Sequence, residues 1–463
     1  MTPTFRALSN RNFRLFATGQ MISNTGTWMQ RIAQDWLVLT LTNQSGTALG
    51  ITTALQFLPI LLFTLWGGVL ADRLPKRKVL LGTQAVMGLQ ALILGVLTVT
   101  GHAKVWQVYV LATVLGLAAA LDTPVRQAFV SEMVGRRDLP NAVALGSATF
   151  NLGRVIGPAL AGLLITWIGT GTVFLVNAAS FLAVITGLMM MRTSELRPSA
   201  RVPRSPGAVR EGLRYVSGRR DLLLVVVVVG AVGTFGFNFQ ISTALMATHI
   251  YDKGASAFGL LSTAFAIGSL AGALLAARRA GSTGARPPLR LVVALALGFG
   301  VLEVVCGFSP TYWSFFILLI PTGLLAIAFA TSANAFVQLG VDPTLRGRVM
   351  AIYMLAFFGG TPIGAPIIGA VAQTAGARWS LFGGGLATLT ATLVAVALLR
   401  PRSPRSSLTG LADPAGSAGT SGTAGTAGSA GTAGTVNTAD TADTADTGVG
   451  GAGELTIDGR VGA

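Results

Sequence analysis

Long apolar segments alternate with short polar ones along most of the chain. About 20 mostly apolar residues are needed for a helix to cross the hydrocarbon layer, and segments of this kind follow one another up to residue 400. The pattern predicts an all-α membrane protein with twelve transmembrane helices, at 13–40, 47–71, 78–100, 104–122, 139–166, 170–191, 222–248, 255–277, 290–308, 311–337, 347–373 and 378–399.

The longest polar connection divides these helices into six and six. Its three prolines predict an extended linker, and apolar residues at helical spacing between 209 and 216 predict a short amphipathic helix on the inner surface. We therefore interpret 1–191 as an N-terminal six-helix half, 192–221 as a cytoplasmic central linker and 222–400 as a C-terminal six-helix half.

Two sequence similarities suggest that the halves are repeats. Each relates a short Gly-containing segment of the first half to one in the second half, at nearly the same offset. The pairs are Gly67-x-x-x-Ala71-Asp72-Arg73 with Gly272-x-x-x-Ala276-Ala277-Arg278, and Gly157-Pro158-x-x-x-Gly162 with Gly364-Ala365-Pro366-x-x-Gly369.

Residues 401–463 have a different composition. Thr-Ala-Gly and Thr-Ala-Asp triplets dominate this segment, and it contains no aromatic residue. A segment with so little apolar surface cannot form a core, so we predict a disordered cytoplasmic tail. An inert solvated extension and a regulatory or partner-binding tail are both compatible with this composition.

The composition excludes a soluble protein. Hydrophobic residues make up 52% of the chain and charged residues 11%, whereas soluble proteins carry about 25% charged residues. Of the 33 Lys and Arg residues, 27 fall in the predicted inner segments, and the outer loops hold Lys104, Lys253 and Arg378. Since cytoplasmic loops are enriched in Lys and Arg, we expect both termini in the cytoplasm.

The residues do not favour an enzyme, a metal protein or an ATPase. His102, His249 and Cys306 are far apart and form no metal-ligand pattern. None of the four lysines follows a glycine, so there is no P-loop. The net charge of +16 is explained by membrane topology, without a basic-aromatic patch for nucleic acid. We expect no cofactor, and the lipid bilayer, a small molecule and protons as partners.

The turn between the second and third predicted helices carries a recognisable motif. It reads Gly67-Gly68-Val69-Leu70-Ala71-Asp72-Arg73-Leu74-Pro75-Lys76-Arg77-Lys78. This resembles the loop 2–3 signature of major facilitator superfamily transporters, with Pro75 where the family commonly has glycine. The alternative is an ordinary positively charged cytoplasmic loop of another polytopic protein.

The fifth predicted helix carries a second motif, Gly153-Arg154-Val155-Ile156-Gly157-Pro158-Ala159-Leu160-Ala161-Gly162. It resembles the signature that the superfamily associates with antiporters, except at Ala161, and the resemblance implies export. We select Arg154, Gly157, Pro158 and Gly162. The alternative is Gly/Pro helix packing with Arg154 paired to a neighbour.

Further motifs resemble the enterobactin-exporter and macrolide-efflux branch of the superfamily, over about residues 5–400. They are Arg11-x-x-Arg14, Asp122-Thr123-Pro124-Val125-Arg126-Gln127, Asn141-Ala142 and Arg346-Gly347-Arg348. The resemblance implies that Asp72 contacts Arg126 and the Arg346 region and holds the cytoplasmic side closed. The implied gating residues are Gly68, Asp72, Arg73, Lys76, Arg77, Arg126 and Arg346.

Charged residues within the predicted helices are candidates for proton coupling, because ionisable groups in a membrane are costly. Arg31 and Asp35 are four residues apart and share a helix face. They form either a structural ion pair or a site for protons or a cationic substrate. Glu303 is the next candidate, and its alternative is an interfacial carboxylate that faces the outer water.

In the family pattern, helices one, four, seven and ten line a central cavity. Our candidates there, beside Asp35, are Gln30, Gln34, Phe235, Asn238, Phe239 and Asn334. We therefore expect a monomeric secondary active transporter of the cell membrane that exports a small amphipathic drug, antibiotic or siderophore in exchange for protons. The alternatives are an uncoupled facilitator or importer, and a membrane scaffold or receptor without transport.

Overall fold

The computed structural model describes residues 3–196, 208–283, 285–342 and 344–399, without the side chains of 3–4, 65–73, 136, 208–209 and 280–283. The predicted tail and the proline-rich part of the linker lie outside the described residues. All regular secondary structure of the described chain is helical. Its long helices are α1 (Arg11–Leu41), α2 (Gly46–Arg73), α3 (Lys76–Val99), α4 (Val105–Gly135), α5 (Arg137–Ile168), α6 (Thr170–Met189), α7 (Arg220–Ile250), α8 (Ala255–Thr283), α9 (Leu289–Gly307), α10 (Tyr312–Gly340), α11 (Arg346–Thr374) and α12 (Ala377–Leu399).

Within the described residues, 11 helices are long and apolar enough to cross a membrane. The remaining long helix is α1, which is too polar to be counted by composition. Its 31 residues extend about 46 Å, more than the thickness of the hydrocarbon layer. Asn12, Gln20, Gln30 and Gln34 of α1 are buried within the protein, so these polar side chains face other helices.

The fourth helix is longer than the sequence pattern predicted. It continues past residue 122 as far as Gly135, because Val125, Phe129 and Met133 recur every fourth residue and are all buried. Gly135 ends the helix with a φ of 70°, a conformation that glycine adopts without strain. The prediction of a loop between 122 and 139 is therefore wrong.

Two long helices are interrupted. In α7 a wide π-helical turn spans Val232–Gly236, and regular helix resumes at Phe239. In α11 the break lies at Gly360. The two interruptions pack together, because the carbonyl group of Thr234 fills the space where a side chain on Gly364 would lie. Interruptions of this kind occur often at functional sites.

Helix contacts recur with an offset of six helices. The pairs α2–α4, α3–α6 and α1–α5 correspond to α8–α10, α9–α12 and α7–α11. Two further pairs, α2–α11 and α5–α8, join the N-terminal set (α1–α6) to the C-terminal set (α7–α12). The space between the two sets is therefore bordered by equivalent helices on its two sides.

The predicted amphipathic helix is present at Ala208–Gly218. Glu211 forms an ion pair with Arg348 at the start of α11. Val216 is buried, whereas Leu213 is exposed. The helix is therefore attached to the C-terminal set by one face.

Candidate substrate cavity

A cavity of about 230 Å³ lies between the two sets of helices. On the side of the N-terminal set, its wall is formed by α1, α2 and α5. On the side of the C-terminal set, the wall is formed mainly by α7, α8 and α11. Aromatic side chains make up much of this wall, and a few charged and amide groups project among them. The lining residues include Trp28, Arg31, Asp35, Gln56, Phe57, Arg154, Asn238, Phe239, Gln240 and Phe265.

Close contacts between the sets close one end of the cavity. Gly46 and Gly50 at the start of α2 lie directly on the backbone of Gly369 and Ala365 of α11. The backbone N–H of Gly46 also donates to Oε1 of Gln373 at 2.8 Å. On the other side of the cavity, α5 and α8 approach each other in the same way. These contacts lie at the end where α1 stops and α2 begins.

Asp35 is the acidic group of the cavity wall within the described residues. Its Oδ2 accepts a hydrogen bond of 2.7 Å from Nε2 of Gln240 on α7, across the boundary between the sets. The side chain is partly exposed to the cavity, so water can reach it. Within the described chain Asp35 forms no ion pair with Arg31 and is held by this hydrogen bond instead.

Two guanidinium groups share the cavity with Asp35. Arg31 lies over the rings of Trp28 and Phe57, 4.9 and 5.3 Å from their centroids. Arg154 donates to Oγ of Ser269 on α8 at 3.1 Å and lies 5.9 Å from the Trp28 ring centre. Within the described chain neither arginine has a carboxylate partner. With Asp35 ionised, the charged side chains of the wall sum to one positive charge.

The interruption of α7 places polar groups on the cavity wall. Asn238 is 3% exposed and donates to the carbonyl of Thr234 at 2.6 Å. Its Oδ1 has no hydrogen-bond partner among the described residues. Phe239 follows and stacks on Phe265 of α8 with ring centres 5.3 Å apart. An interrupted helix at membrane depth is a typical location of a transporter binding site.

The other cavity candidates lie elsewhere. Gln30 donates to Gln90 at 2.9 Å and accepts from Asn177, so it links α1 to α3 and α6 behind the cavity. Gln34 is buried and reaches the cavity only through Gln56. Phe235 and Asn334 are also absent from the described wall, and Asn334 accepts from Gln338 on its own helix. Gln30 and Gln34 each precede one of the cavity residues Arg31 and Asp35 by one position. Consecutive residues of a helix point in different directions, so this spacing was the signal that the two glutamines lie on another face of α1.

Glu303 lies outside the cavity wall. It is 1% exposed and packs beside Gly384 of α12. The alternative that it faces the outer water is therefore wrong.

The basic residues after the loop 2–3 turn bind within the N-terminal set. Nζ of Lys76 lies 2.6 Å from Oε1 of Glu132 on α4. Arg77 donates to the carbonyls of Leu188 and Met189 at 2.7 and 3.0 Å, at the end of α6, where a helix prefers cations. The side chains of the other motif residues, Gly68, Asp72 and Arg73, lie outside the described residues.

Arg126 belongs to a buried polar cluster that the sequence interpretation missed. It contacts Oδ2 of Asp122 at 3.3 Å and donates to Gln20 at 3.0 Å. Oδ1 of Asp122 accepts from Thr83 and Gln84 at 3.0 and 2.8 Å. The four-residue spacing of Asp122 and Arg126 was the available signal. Arg346 is exposed at the start of α11.

The helix-five motif combines packing with a cavity residue. Gly157 lies against Trp28, and Gly162 against Ser256 of α8. The carbonyl oxygen of Pro158 lies in the space beside Gly259. Arg154 alone extends a charged group into the cavity.

Known transporters resemble this chain in sequence. The chain is 25% identical over 384 residues to the staphyloferrin A transporter of Staphylococcus aureus, covering 82% of this chain and 94% of that protein. It is 27% identical over 399 residues to the multidrug efflux pump Tap of Mycolicibacterium fortuitum, covering 84% and 95%. The enterobactin exporter EntS of Shigella flexneri is 26% identical over 355 residues, covering 76% and 83%.

Solved structures share the fold. The bacterial Spinster homologue in an inward-facing, unoccupied conformation superposes with a TM-score of 0.65 at 13% identity, covering 86% of this chain and 97% of that one. The POT family transporter PepTSo gives a TM-score of 0.67 at 12% identity, covering 84% of this chain and 97% of that one. These proteins are transporters and not enzymes, in agreement with the prediction made for this chain. Residues 2–410 match the family described as "Transmembrane secretion effector", so the chain belongs to this family of major facilitator superfamily transporters.

Proposed function

We propose that this protein exports a small amphipathic molecule, such as a drug, antibiotic or siderophore, in exchange for protons. The observation that carries the proposal is the cavity between the two sets of helices, with its aromatic wall and its few charged groups. A wall of this composition suits a molecule with both apolar and polar parts. Two of the relatives, the multidrug efflux pump Tap and the enterobactin exporter EntS, move their substrates outward, which supports the export direction.

The proposed architecture has twelve spans in two halves, 1–191 and 222–400, with a linker at 192–221 and a tail at 401–463. Recurrence of the helix contacts with an offset of six supports two pseudo-repeats. The second sequence similarity supports it as well: Pro158 and Gly162 pack on α8, while Pro366 and Gly369 pack on α2. These are equivalent contacts between the halves. The buried polar residues of α1 are compatible with a twelfth span.

We place both termini in the cytoplasm, because the positive charges concentrate on that side. The closed end of the cavity then faces outward. We further propose a monomeric transporter in the cell membrane.

Asp35 is the proposed proton carrier. It is partly exposed in the cavity, and Gln240 links it to α7 of the other half. An N–H group binds an ionised carboxylate more strongly than a neutral one. The link is therefore strongest after proton release, and proton binding weakens a contact between the halves near their closed end. Proton occupancy is thereby coupled to opening toward the outside.

We retain Asp72 as a proposed cytoplasmic gating residue, together with Arg126 and the Arg346 region. Because Arg126 already contacts Asp122, Asp72 would share this arginine. Asp72→Asn should slow transport and increase labelling of cytoplasmic cysteine probes without reducing membrane insertion. Unchanged labelling together with unchanged transport would contradict this role.

Transport by purified protein in liposomes tests the function. Ethidium, a cation, and fluorescein, an anion, serve as amphipathic probes, and protein-free liposomes as the control. We expect an imposed pH difference to drive at least one probe against its concentration gradient. Transport that is independent of the pH difference would favour an uncoupled facilitator. The absence of transport of either probe would contradict the proposal.

A further inference from the structure

Glu303 is a buried acidic residue that the proposed function leaves unused. It lies on α9, apart from the cavity wall, with 1% of its surface exposed. Its Oε2 has no hydrogen-bond partner among the described residues. An ionised carboxylate at this position would lose its hydrating water without gaining hydrogen bonds or an opposite charge in exchange, which is highly unfavourable.

The carboxyl group lies behind the interruption of α7. The carboxyl group fits there because Gly384 of α12 has no side chain. A methyl group on Gly384 would lie 2.6 Å from Oε1 of Glu303. The same position is 2.9 Å from the carbonyl oxygen of Phe235, in the wide turn of α7. The carboxyl group and a main-chain carbonyl of the interrupted helix therefore border one small space.

Thr388 of α12 adds a third polar group on this side of α7. It is fully buried, and its Oγ1 has no hydrogen-bond partner among the described residues. A methyl group on Gly236, in the same turn of α7, would lie 3.3 Å from this hydroxyl. Buried polar atoms normally have partners, and a proton on Glu303 would supply a donor to this group of oxygens.

We propose that Glu303 is a second proton-binding group of the transporter, and that its proton stabilises the interrupted shape of α7. The proposal rests on the proton coupling proposed above. In the protonated form, the carboxyl O–H donates to an oxygen in the space behind α7. In the ionised form, a negative charge faces the carbonyl of Phe235, so the turn of α7 must change or admit water.

Among the described residues, no charged side chain forms an ion pair with Glu303. Its own helix contributes the thiol of Cys306, which lies 3.5 Å from the hydroxyl of Thr322 on α10. Helix α12 contributes Gly384 and Thr388, and α7 contributes its main chain. No charged side chain of the described α7, α10 or α12 pairs with Glu303. Its proton occupancy therefore depends on the shape of α7 and on access of water.

This position links two proton sites through one helix. Asp35 acts on α7 from the cavity through Gln240, and Glu303 acts on it from behind. The turn at Val232–Gly236 directly precedes the part of α7 that carries Asn238 and Gln240 on the wall. Loss of the proton from Glu303 is therefore expected to move cavity-lining residues.

Infrared spectroscopy of the full-length protein in lipid bilayers tests proton binding directly. The C=O stretch of a protonated, buried carboxyl group should be present in the wild type in acidic buffer and absent from Glu303→Gln. We expect this band to disappear in alkaline buffer. A band that persists at every pH, or no difference between the two proteins, would overturn the proposal.

Transport of whichever probe the wild type moves, ethidium or fluorescein, provides the second test. Glu303→Gln should lower pH-driven accumulation at least threefold while exchange of labelled for unlabelled probe continues. Gly384→Ala, which intrudes on the carboxyl group, should do the same. The adjacent Gly383→Ala is the control, because its added methyl group has no neighbour within 4 Å.

Unchanged accumulation in both Glu303→Gln and Gly384→Ala would overturn the coupling role. If the wild type itself shows no pH-driven accumulation, the proposed function fails. The infrared titration would still decide whether Glu303 binds a proton.

Discussion

At the residue scale, the partner of Asp35 determines how this side chain works. The four-residue spacing places Arg31 and Asp35 on one helix face, but the carboxylate binds Gln240, 205 positions away in sequence. Arg31 instead rests on two aromatic rings. Asp35 therefore joins the two sets of helices, whereas an ion pair with Arg31 would have stayed within one helix.

Replacing Asp35 tests its role as the proton carrier. Asp35→Asn keeps the shape and the contact with Gln240 but cannot release a proton. We expect pH-driven accumulation to fall at least tenfold while exchange of labelled for unlabelled probe continues. Asp342→Asn, at an exposed position, is the control and should leave both rates unchanged. Asp35→Asn protein that still concentrates the probe would show that Asp35 is structural.

Asp35, Asn238 and Phe239 are the predicted cavity residues that lie on the wall. Asp35, like Arg31 and Arg154, is a charge within an apolar helix, and such charges are recognisable one by one. Gln30 was misplaced because its partners Gln90 and Asn177 belong to other helices. The contact of Arg126 with Gln20 likewise depends on packing that no short stretch of sequence records.

At the element scale, glycines at the ends of α2 and α11 hold the halves together. The backbone of Ala365 occupies the position that a methyl group on Gly50 would take. Overpacking of a close contact costs about 1–3 kcal/mol. We propose that this contact breaks when the outer end opens, so the cost should shift the protein toward an outward-open conformation.

Gly50→Ala is therefore expected to increase access to the cavity from outside. The measurement is labelling of a cysteine introduced at Thr53, a lining residue, by a membrane-impermeant maleimide. The native Cys306 is buried and should give little background. Gly383→Ala is the matched control. A labelling rate equal to that of the control would mean that α2–α11 packing does not set the closed state.

Hydrophobic periodicity predicted most helices to within a few residues, because membrane-length apolar segments are an unusually strong signal. It failed where a helix is amphipathic or interrupted. The continuation of α4 through Phe129 is too polar on one face to read as a span, and the wide turn of α7 lies in a continuous apolar run. Both features depend on packing against neighbouring helices.

At the scale of the whole molecule, the tail is predicted to be dispensable. Residues beyond Arg405 lie outside the described residues, and their sequence offers no apolar face for docking. A chain truncated after Arg405 should insert, unfold at the same temperature and transport as the full chain does. Loss of transport with normal insertion would instead identify a regulatory tail.

The two arginines of the cavity have an electrical consequence. A charge that crosses the full membrane voltage changes in free energy by about 2.3 kcal/mol per 100 mV. With Asp35 ionised, Arg31, Arg154 and Asp35 give the described cavity wall one net positive charge. Conformational exchange that carries part of this charge through the field should therefore depend on voltage. An anionic cargo would cancel the dependence, and a cationic cargo would increase it. Transport of ethidium and of fluorescein, measured at potassium-diffusion potentials set with valinomycin, should therefore depend on voltage to different extents.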